Sequence, residues 1–446
     1  MIGRQLVATL CGNIMTFCFG LAVGWPSPTI PKLMDPSSKL LESGPLTIDE
    51  ASWISSIMCI GGACATLFFG YTSEKFGRKL SLISLAVPTL LGWLFIIYGK
   101  NPTHLYIARF LGGFGGGGSF IIVPVYVTEI ANNDIRGILG SLTVLLHNIG
   151  LVISYAVCSY AHYFTVPYIG IGASVIFFVW SLMIPESPTY LMERGRTAEA
   201  EKACIWLGKE KIVSVETTTL KTEKKESFTL NDLCTRSSRR GLFLGFILIT
   251  LTCSSGAFVL LHYTVSIFQQ AGSSLSPEMS SVIVGSIQLL GSYVATFLVD
   301  RAGRKFLIIT SSFSVAFVLT LMGAYNILDS QGINMSAFSW IPLVCLSLVV
   351  FLAANGSASL PYLVLCEVLT QKIRTFVSTI CLFEDWVLAF AYVKFLPFMI
   401  AAWGLHGALW FFAAINVLLS SILLFYLPET KGKSIDEIAR ILSQKK

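Results

Sequence analysis

Four carboxylates in the sequence each precede an arginine by four or seven residues, an interval that can bring opposite charges together across a helix turn or a short loop. These pairs are Glu74 with Arg78, Glu129 with Arg136, Asp300 with Arg304, and Glu367 with Arg374. Opposite charges attract more strongly at a partly desolvated surface than in bulk water. The pairs therefore predict a network of ion pairs that can form and break as parts of the protein move. They indicate no catalytic chemistry.

Two further charges lie in an unusual setting. Glu384 and Asp385 interrupt an otherwise apolar stretch, where ionisable residues are costly and point to a function. Two functions remain open, namely binding of a cationic or strongly hydrogen-bonding substrate, and transfer of a proton. The eleven cysteines add no site, because nine lie in or at the ends of apolar runs and none has metal-ligand spacing. No cofactor and no metal are predicted.

The composition places these charges in a membrane protein. Of the 446 residues, 54% are apolar and 13% are charged, whereas a soluble domain has about 25% charged residues. A water-soluble fold could not hide this much apolar surface. We therefore exclude a soluble enzyme, a nucleic-acid-binding protein and a disordered scaffold, and predict an all-α polytopic membrane protein.

Uncharged stretches indicate twelve membrane spans, since a helix needs about 20 apolar residues to cross the hydrocarbon core. The ten stretches without Asp, Glu, Lys or Arg are 5–31, 51–73, 80–99, 110–128, 137–185, 241–277, 279–299, 306–328, 330–366 and 395–428. The 137–185 stretch holds spans 5 and 6, the charged segment 375–397 is span 11, and the others are spans 1–4, 7–10 and 12 in order. The glycine run 112–118 in span 4 predicts close helix packing rather than a nucleotide-binding loop.

The positive-inside rule orients these spans. With the N-terminus in the cytosol, the cytosolic segments contain 26 Lys and Arg residues and the outer loops contain three. An even number of spans places the C-terminus in the cytosol as well. The Asn334-Met-Ser336 sequon then lies in the outer loop between spans 9 and 10, so we expect Asn334 to be a glycosylation site.

The two halves of the chain repeat each other. Gly77-Arg78-Lys79 after span 2 returns as Gly303-Arg304-Lys305 after span 8, and Pro185-Glu186 at the end of span 6 returns as Pro428-Glu429 at the end of span 12. The predicted organisation is a six-span half at 1–185, a cytosolic linker with short amphipathic helices at 186–240, a second half at 241–430 and a tail at 431–446. Repeated six-span halves around a central site are typical of transporters.

Several motifs, in order along the chain, resemble those of one family. They are Arg109-x-x-Gly112, Pro124-Val-Tyr126-Val-Thr-Glu129, Arg136-Gly137-x-Leu139-Gly140, Pro185-Glu-Ser-Pro188 and Pro428-Glu-Thr-Lys-Gly432. Together they are similar to the sugar-porter family of the major facilitator superfamily, and within it to the facilitated trehalose transporter-like branch. The resemblance implies the major facilitator fold, with twelve helices in two pseudo-symmetric six-helix halves. It also implies that the charge network locks the cytosolic side and that Arg109 is structural, either snorkelling outward or pairing with an acid inside the bundle.

The resemblance further implies a substrate site made of amide, hydroxyl and aromatic side chains. Its candidates are His147, Asn148, Gln288, Tyr362, Asp385 and Trp386. Span 7 departs from the family, because Thr252-Cys-Ser-Ser255-Gly-Ala-Phe258 stands where relatives have two glutamines and an asparagine. Thr252, Ser255 and His262 are the candidate replacements for those lost amides. Span 11 departs as well, because Asp385 stands where relatives often have an asparagine.

The function implied by the resemblance is facilitative uniport of a sugar, such as a hexose or trehalose, by alternating access. The protein is then not an enzyme, and we expect a monomer in the plasma membrane with a small-molecule substrate, no cofactor and no nucleic-acid partner. Proton-linked sugar symport is one alternative, although span 1 lacks the acidic residue of proton-linked relatives. A non-transporting nutrient sensor is the other, although a sensor would typically have a long terminal extension, and only 18 residues follow Pro428.

Overall fold

The structure is a computed structural model that describes residues 2–132, 134–209, 232–233, 235–272, 275–333, 335–433 and 435–443. These residues form helices and no strand. The helices of the first half and the linker are α1 (Ile2–Gly24), α2 (Pro26–Met34), α3 (Ile48–Phe76), α4 (Arg78–Ile97), α5 (Pro102–Ile130), α6 (Arg136–Tyr160), α7 (Thr165–Met183), α8 (Pro188–Glu193) and α9 (Thr197–Leu207).

The second half is more often interrupted. Its helices are α10 (Arg236–Ser254), α11 (Ala257–His262), α12 (Thr264–Ala271), α13 (Pro277–Ala302), α14 (Arg304–Ser330), α15 (Ile341–Asn355), α16 (Leu360–Val368), α17 (Gln371–Tyr426) and α18 (Ile435–Ser443), with a short 3-10 helix at Ser336–Phe338. Span 1 thus consists of α1 and α2, span 7 of α10 to α12, and span 10 of α15 and α16.

Glycines in the left-handed region explain two of these interruptions, because side chains rarely adopt that backbone conformation. Gly256 has φ 76° and separates α10 from α11, and Gly404 has φ 72° inside α17. Among the described residues, eleven segments are long and apolar enough to cross a membrane, and the last covers 55 residues. The break at Gly404 divides that segment into spans 11 and 12, which agrees with the predicted twelve-span fold.

The helices group into two compact units. Unit 1 comprises Met1–Val23, Ile57–Ser154 and His162–Ser227, and unit 2 comprises Gly24–Ser56, Tyr155–Ala161 and Phe228–Lys446. Unit 2 therefore contains the second half together with the ends of spans 1, 2 and 5 that are predicted to face outward. Within it, the Tyr155 hydroxyl donates a hydrogen bond to the Leu261 carbonyl at 2.5 Å.

Each unit has its own apolar core. The core of unit 1 is made by side chains of α1, α3, α4, α5 and α7, including Met15, Phe69, Leu85, Ile122 and Phe177. The core of unit 2 is made by α10, α14, α16, α17 and α18, including Leu248, Ile308, Leu365, Ile373 and Leu442. Because these helices present apolar residues on most faces, packing between small and branched side chains positions them.

The glycine run of span 4 packs against span 2. A Cβ atom on Gly117 would lie 2.7 Å from the Cα atom of Gly62, and one on Gly113 would overlap the carbonyl oxygen of Met58. A Cβ on Gly112 would meet only the Ala22 Cβ, at 3.9 Å. The close approach of α5 and α3 therefore needs glycine at two of these positions, and the packing role predicted for the run is confirmed.

Candidate functional site

A polar cluster lies where spans 7, 10 and 11 meet in unit 2. The Tyr362 hydroxyl donates to Asp385 Oδ2 at 2.9 Å, and the Cys253 thiol donates to Asp385 Oδ1 at 3.0 Å. Tyr362 follows Pro361 at the start of α16, and Cys253 lies in the last turn of α10. Asp385 is thus held by hydrogen bonds to both carboxylate oxygens, so its orientation is fixed by two neighbouring spans.

The adjacent carboxylate has a separate partner. The Thr250 hydroxyl donates to Glu384 Oε1 at 2.8 Å, one helical turn before Cys253 on the same helix. Consecutive helix residues point about 100° apart, so Glu384 and Asp385 contact different residues of span 7. Two neighbouring carboxylates in one span can therefore serve different purposes.

The three candidate replacements in span 7 are buried in unit 2. The hydroxyls of Thr252 and Ser255 donate to the Leu248 and Thr252 carbonyls of their own helix, at 3.2 and 2.7 Å. His262 is fully buried, with Nδ1 2.9 Å from the Phe258 carbonyl and its ring 4.5 Å from the Phe258 ring. In this structure Thr252 and Ser255 can offer a substrate only acceptor oxygens, because their protons are already donated.

Gln288 and Trp386 are half-buried in unit 2. Gln288 lies on α13, and Trp386 follows Asp385 directly on α17. Neither contributes to the hydrogen bonds of Asp385 described above. The structure thus brings Tyr362 and Asp385 together, whereas the grouping of Gln288 and Trp386 with them stays a prediction.

The two candidates from span 5 belong to unit 1. The His147 ring lies between Phe19 and Phe120, with both centroid distances 5.3 Å. Asn148 is buried, with 1% of its surface exposed. An imidazole edge between two aromatic rings is a surface that can contact an apolar sugar face, and an amide can pair with hydroxyls.

The ion pairs of unit 1 differ from the predicted ones. The Arg78 guanidinium binds Glu129 Oε1 through Nε at 3.1 Å and Nη2 at 2.8 Å. Arg136, the predicted partner of Glu129, is exposed, and no ion pair of Arg136 occurs among the described residues. The reason is packing, because α4 lies along α5 and brings the start of one helix to the end of the other. Arg78 likewise forms no ion pair with Glu74 there, so both predicted pairings are wrong in this structure.

Unit 2 repeats the same arrangement. Arg304 Nε lies 3.6 Å from Glu367 Oε1. Arg374, the predicted partner of Glu367, instead directs Nη2 towards the Leu369 carbonyl at 3.5 Å, which corrects that pairing. The side chain of Asp300 lies outside the described residues, so its predicted pairing with Arg304 stays a prediction. The internal repeat thus preserves a different pair, arginine at a helix start with glutamate at the end of a neighbouring helix.

Sequence reasoning missed two glutamates that cap helices. Glu186 accepts hydrogen bonds from the backbone N–H groups of Arg78 and Lys79, each with a shortest distance of 3.0 Å, at the start of α4. Glu429 accepts the equivalent bonds from Arg304 and Lys305, at 3.0 and 3.2 Å, at the start of α14. A carboxylate is favoured at a helix N-terminus, where free N–H groups and the helix dipole attract it. The repeated Pro-Glu at the ends of spans 6 and 12 was the signal that could have found them.

Two opposing effects act on Glu429. Burial alone would raise its pKa, but hydrogen bonds from the backbone N–H groups of Lys431, Arg304, Lys305 and Thr430 stabilise the charged form. The hydrogen bonds prevail and hold the pKa of Glu429 below its usual value. Glu429 therefore binds α14 as a carboxylate at neutral pH.

Arg109 lies inside α5 rather than at its outer end. It is 2% exposed and donates a hydrogen bond from Nη1 to the Ala22 carbonyl of span 1. Outward snorkelling is therefore excluded, since the guanidinium ends at a buried backbone group. Its structural role stays a prediction, now with a named partner.

Two remaining predictions receive no contact from the structure. Asn334 lies outside the described residues, so its glycosylation stays a prediction. No group of three or more His, Cys, Asp or Glu side chains that could hold a metal ion occurs in the part of the chain that the structure describes.

Comparison with known proteins gives concordant matches. The sequence profile of a family described as "Sugar (and other) transporter" matches residues 6–442. The facilitated trehalose transporter Tret1 of Polypedilum vanderplanki is 31% identical over 98% of the chain and 88% of that relative. Tret1 of Drosophila mojavensis is also 31% identical, over 98% of the chain and 51% of the relative, so the chain spans about half the length of this relative.

A solved structure supports the same fold. The inward-open xylose transporter XylE from E. coli matches with a TM-score of 0.79 and 21% identity, over 97% of the chain and 98% of the solved one. XylE bound to 6-bromo-6-deoxy-D-glucose matches with a TM-score of 0.77 and 20% identity, over 99% of both chains. At this identity the likeness establishes the architecture of the chain and nothing of its substrate.

Proposed function

Since the chain belongs to the sugar (and other) transporter family, we propose that it carries a sugar, such as a hexose or trehalose, down its gradient by alternating access. It acts as a monomer in the plasma membrane with both termini in the cytosol, without catalysis or a cofactor and without binding nucleic acid. The relatives named as facilitated trehalose transporters favour a disaccharide among the sugars.

The observation that carries this proposal is the cluster of Asp385, Tyr362 and Cys253 at the junction of three spans. A sugar presents many hydroxyl groups and an apolar ring face, so its site needs oriented polar groups beside aromatic ones. Tyr362 provides both, and Asp385 fixes its hydroxyl. His147 and Asn148 provide the equivalent groups in unit 1.

Uniport is favoured over proton-linked transport by the composition of span 1. The stretch 5–31 contains no acidic residue, so no carboxylate of α1 or α2 can exchange a proton with the substrate path. Glu384 and Asp385 are the groups that would carry a proton in a symporter. Both already have hydrogen-bond donors as partners, Thr250 for Glu384 and Tyr362 for Asp385, which suits a fixed structural carboxylate.

Transport by the purified protein in liposomes tests this function. We expect labelled trehalose or glucose to equilibrate across the membrane, to enter faster when the liposomes contain unlabelled sugar, and never to exceed equilibrium under an acid-outside pH gradient. A sensor that binds sugar without transporting it would give no flux above that of empty liposomes. Accumulation driven by the pH gradient would refute uniport.

Asp385→Asn separates the mechanisms further. We expect uptake within about fivefold of the wild type, because the amide keeps one oxygen for the Tyr362 hydroxyl and gains a donor for substrate. Asp329→Asn, at an exposed site on α14, is the matched control and should leave uptake unchanged. Loss of pH-driven accumulation in Asp385→Asn, with exchange retained, would assign Asp385 to proton coupling instead.

A further inference from the structure

A lysine is buried within span 11. The Lys394 side chain is 9% exposed, and its Nζ atom lies 2.6 Å from Asp49 Oδ1 and 2.7 Å from Ser52 Oγ. Asp49 and Ser52 lie in the first two turns of α3, at the end of span 2 that is predicted to face outward. All three residues belong to unit 2, although spans 2 and 11 come from different halves of the sequence.

Aromatic rings complete the surroundings of the ammonium group. Lys394 Nζ lies 4.4 Å from the centre of the Trp53 ring and 5.4 Å from that of Phe398. The Trp53 ring in turn contacts Phe390, at 5.8 Å between centres. Ring faces attract cations, and the attraction is greatest when water is excluded. Span 2 thus supplies a carboxylate, a hydroxyl and an indole face to one charge on span 11.

The pair is asymmetric in its exposure. The Asp49 side chain is 63% exposed, whereas that of Lys394 is almost buried. The neighbouring carboxylate Glu50 binds the backbone N–H and hydroxyl of Thr47, at 2.9 and 2.8 Å, and so caps the start of α3 instead of binding the lysine. Lys394 therefore depends on Asp49 as its counter-ion in this structure, since an uncompensated charge in a span is costly.

Other contacts between the same chain ends are neutral. Ser27 Oγ in α2 accepts a hydrogen bond from the Val265 N–H in α12 at 3.1 Å, and Tyr155 binds Leu261 as described above. Within these contacts, Lys394 with Asp49 is the pair that gains most from being closed, because it joins full charges beside an apolar surface.

We propose that Lys394 and Asp49 form an outer latch, an ion pair that holds the outward ends of spans 2 and 11 together while the substrate path is closed to the outside. The inference rests on the proposed function, because a carrier that works by alternating access must separate these ends in every cycle. The latch breaks when the outer side opens, and water then solvates both charges. Its strength sets the fraction of molecules that are open to the outside.

Labelling of a buried position tests the latch without any sugar. Ser27 is 1% exposed, so a Ser27→Cys variant should react with a membrane-impermeant maleimide only when the outer ends separate. Adding Asp49→Asn should raise the labelling rate at position 27 about fivefold, the ratio that corresponds to about 1 kcal/mol for a partly exposed ion pair. Mass spectrometry of the tagged peptide identifies the position, and the amount of protein at the cell surface normalises the rate.

Three further variants make the test specific. Lys394→Met should raise labelling as Asp49→Asn does, and the exchanged pair Asp49→Lys with Lys394→Glu should return it towards the parent rate. Glu42→Gln, at an exposed outer-loop carboxylate, should leave the rate unchanged. If Lys394→Met fails to reach the surface, Asp49→Asn still decides the question, because position 49 is mostly exposed.

The outcomes separate this inference from the proposed function. Faster labelling in Asp49→Asn and its reversal in the exchanged pair support the latch even if no sugar is carried. A labelling rate in Asp49→Asn equal to that of Glu42→Gln overturns the latch, even if sugar transport is normal.

Discussion

The glycine run of span 4 allows a sharp comparison between two adjacent kinds of site on one helix. Replacing Gly117 by alanine would place a methyl carbon 2.7 Å from the Gly62 Cα, whereas replacing Gly112 would place it 3.9 Å from the Ala22 Cβ. Carbon atoms pack best at about 3.5–4.0 Å. In Gly117→Ala, α3 and α5 must therefore move apart by about 1 Å, and in Gly112→Ala nothing has to move.

Two opposing terms set the magnitude. Alanine is favoured over glycine within a helix by about 1 kcal/mol, and this gain applies equally at both positions. Overpacking in a well-packed interior costs about 1–3 kcal/mol, and the upper value applies to Gly117 because the clashing atom is backbone. We therefore expect Gly117→Ala to lower the free energy of unfolding by about 2 kcal/mol and Gly112→Ala to raise it slightly.

Thermal unfolding of the purified protein in detergent, followed by size-exclusion chromatography after heating, measures the difference. Gly117→Ala should unfold several degrees below the wild type, and Gly112→Ala at or above it. Equal midpoints for the two variants would refute the reasoning, because helix propensity alone predicts no difference between them.

Three further outcomes concern the charged groups at the ends of helices. Arg78→Gln should lower stability by about 3 kcal/mol, because it leaves the partly buried Glu129 without its counter-ion, while Arg136→Gln should leave the melting temperature unchanged; equal melting temperatures for the two variants would contradict the observed pairing. Glu429→Gln should lower stability at neutral pH by about 1–2 kcal/mol through weaker capping of α14, and a melting temperature identical to the wild type would exclude that capping. Because the pKa of Glu429 is lowered in the fold, its contribution is present above its ordinary value of 4.5 and disappears as the pH falls through the lowered pKa. A pH titration of the melting temperature should therefore bring the wild type and Glu429→Gln together at low pH and separate them at neutral pH.

The fold followed from the sequence because membrane insertion makes length and apolarity decisive. A span must satisfy its own backbone within about 20 apolar residues, so uncharged stretches counted along the chain predict helices directly. The exceptions show the limit of this reasoning. Span 4 begins at Pro102, ahead of its charge-free stretch, because Arg109 is buried inside the helix, and spans 1, 7 and 10 each consist of more than one helix.

The partners of the charges could not be read from the sequence. Separation along the chain favoured Glu129 with Arg136, but the structure pairs Glu129 with Arg78, which is 51 residues away. Lys394 and Asp49 are 345 residues apart, and nothing in either segment indicates the other. The sequence determined which residues carry charge, and their positions in the spans, because hydropathy and local repeats are properties of contiguous segments. The pairing of those charges was decided by the tertiary structure alone, because helix packing brings together residues that no local pattern connects.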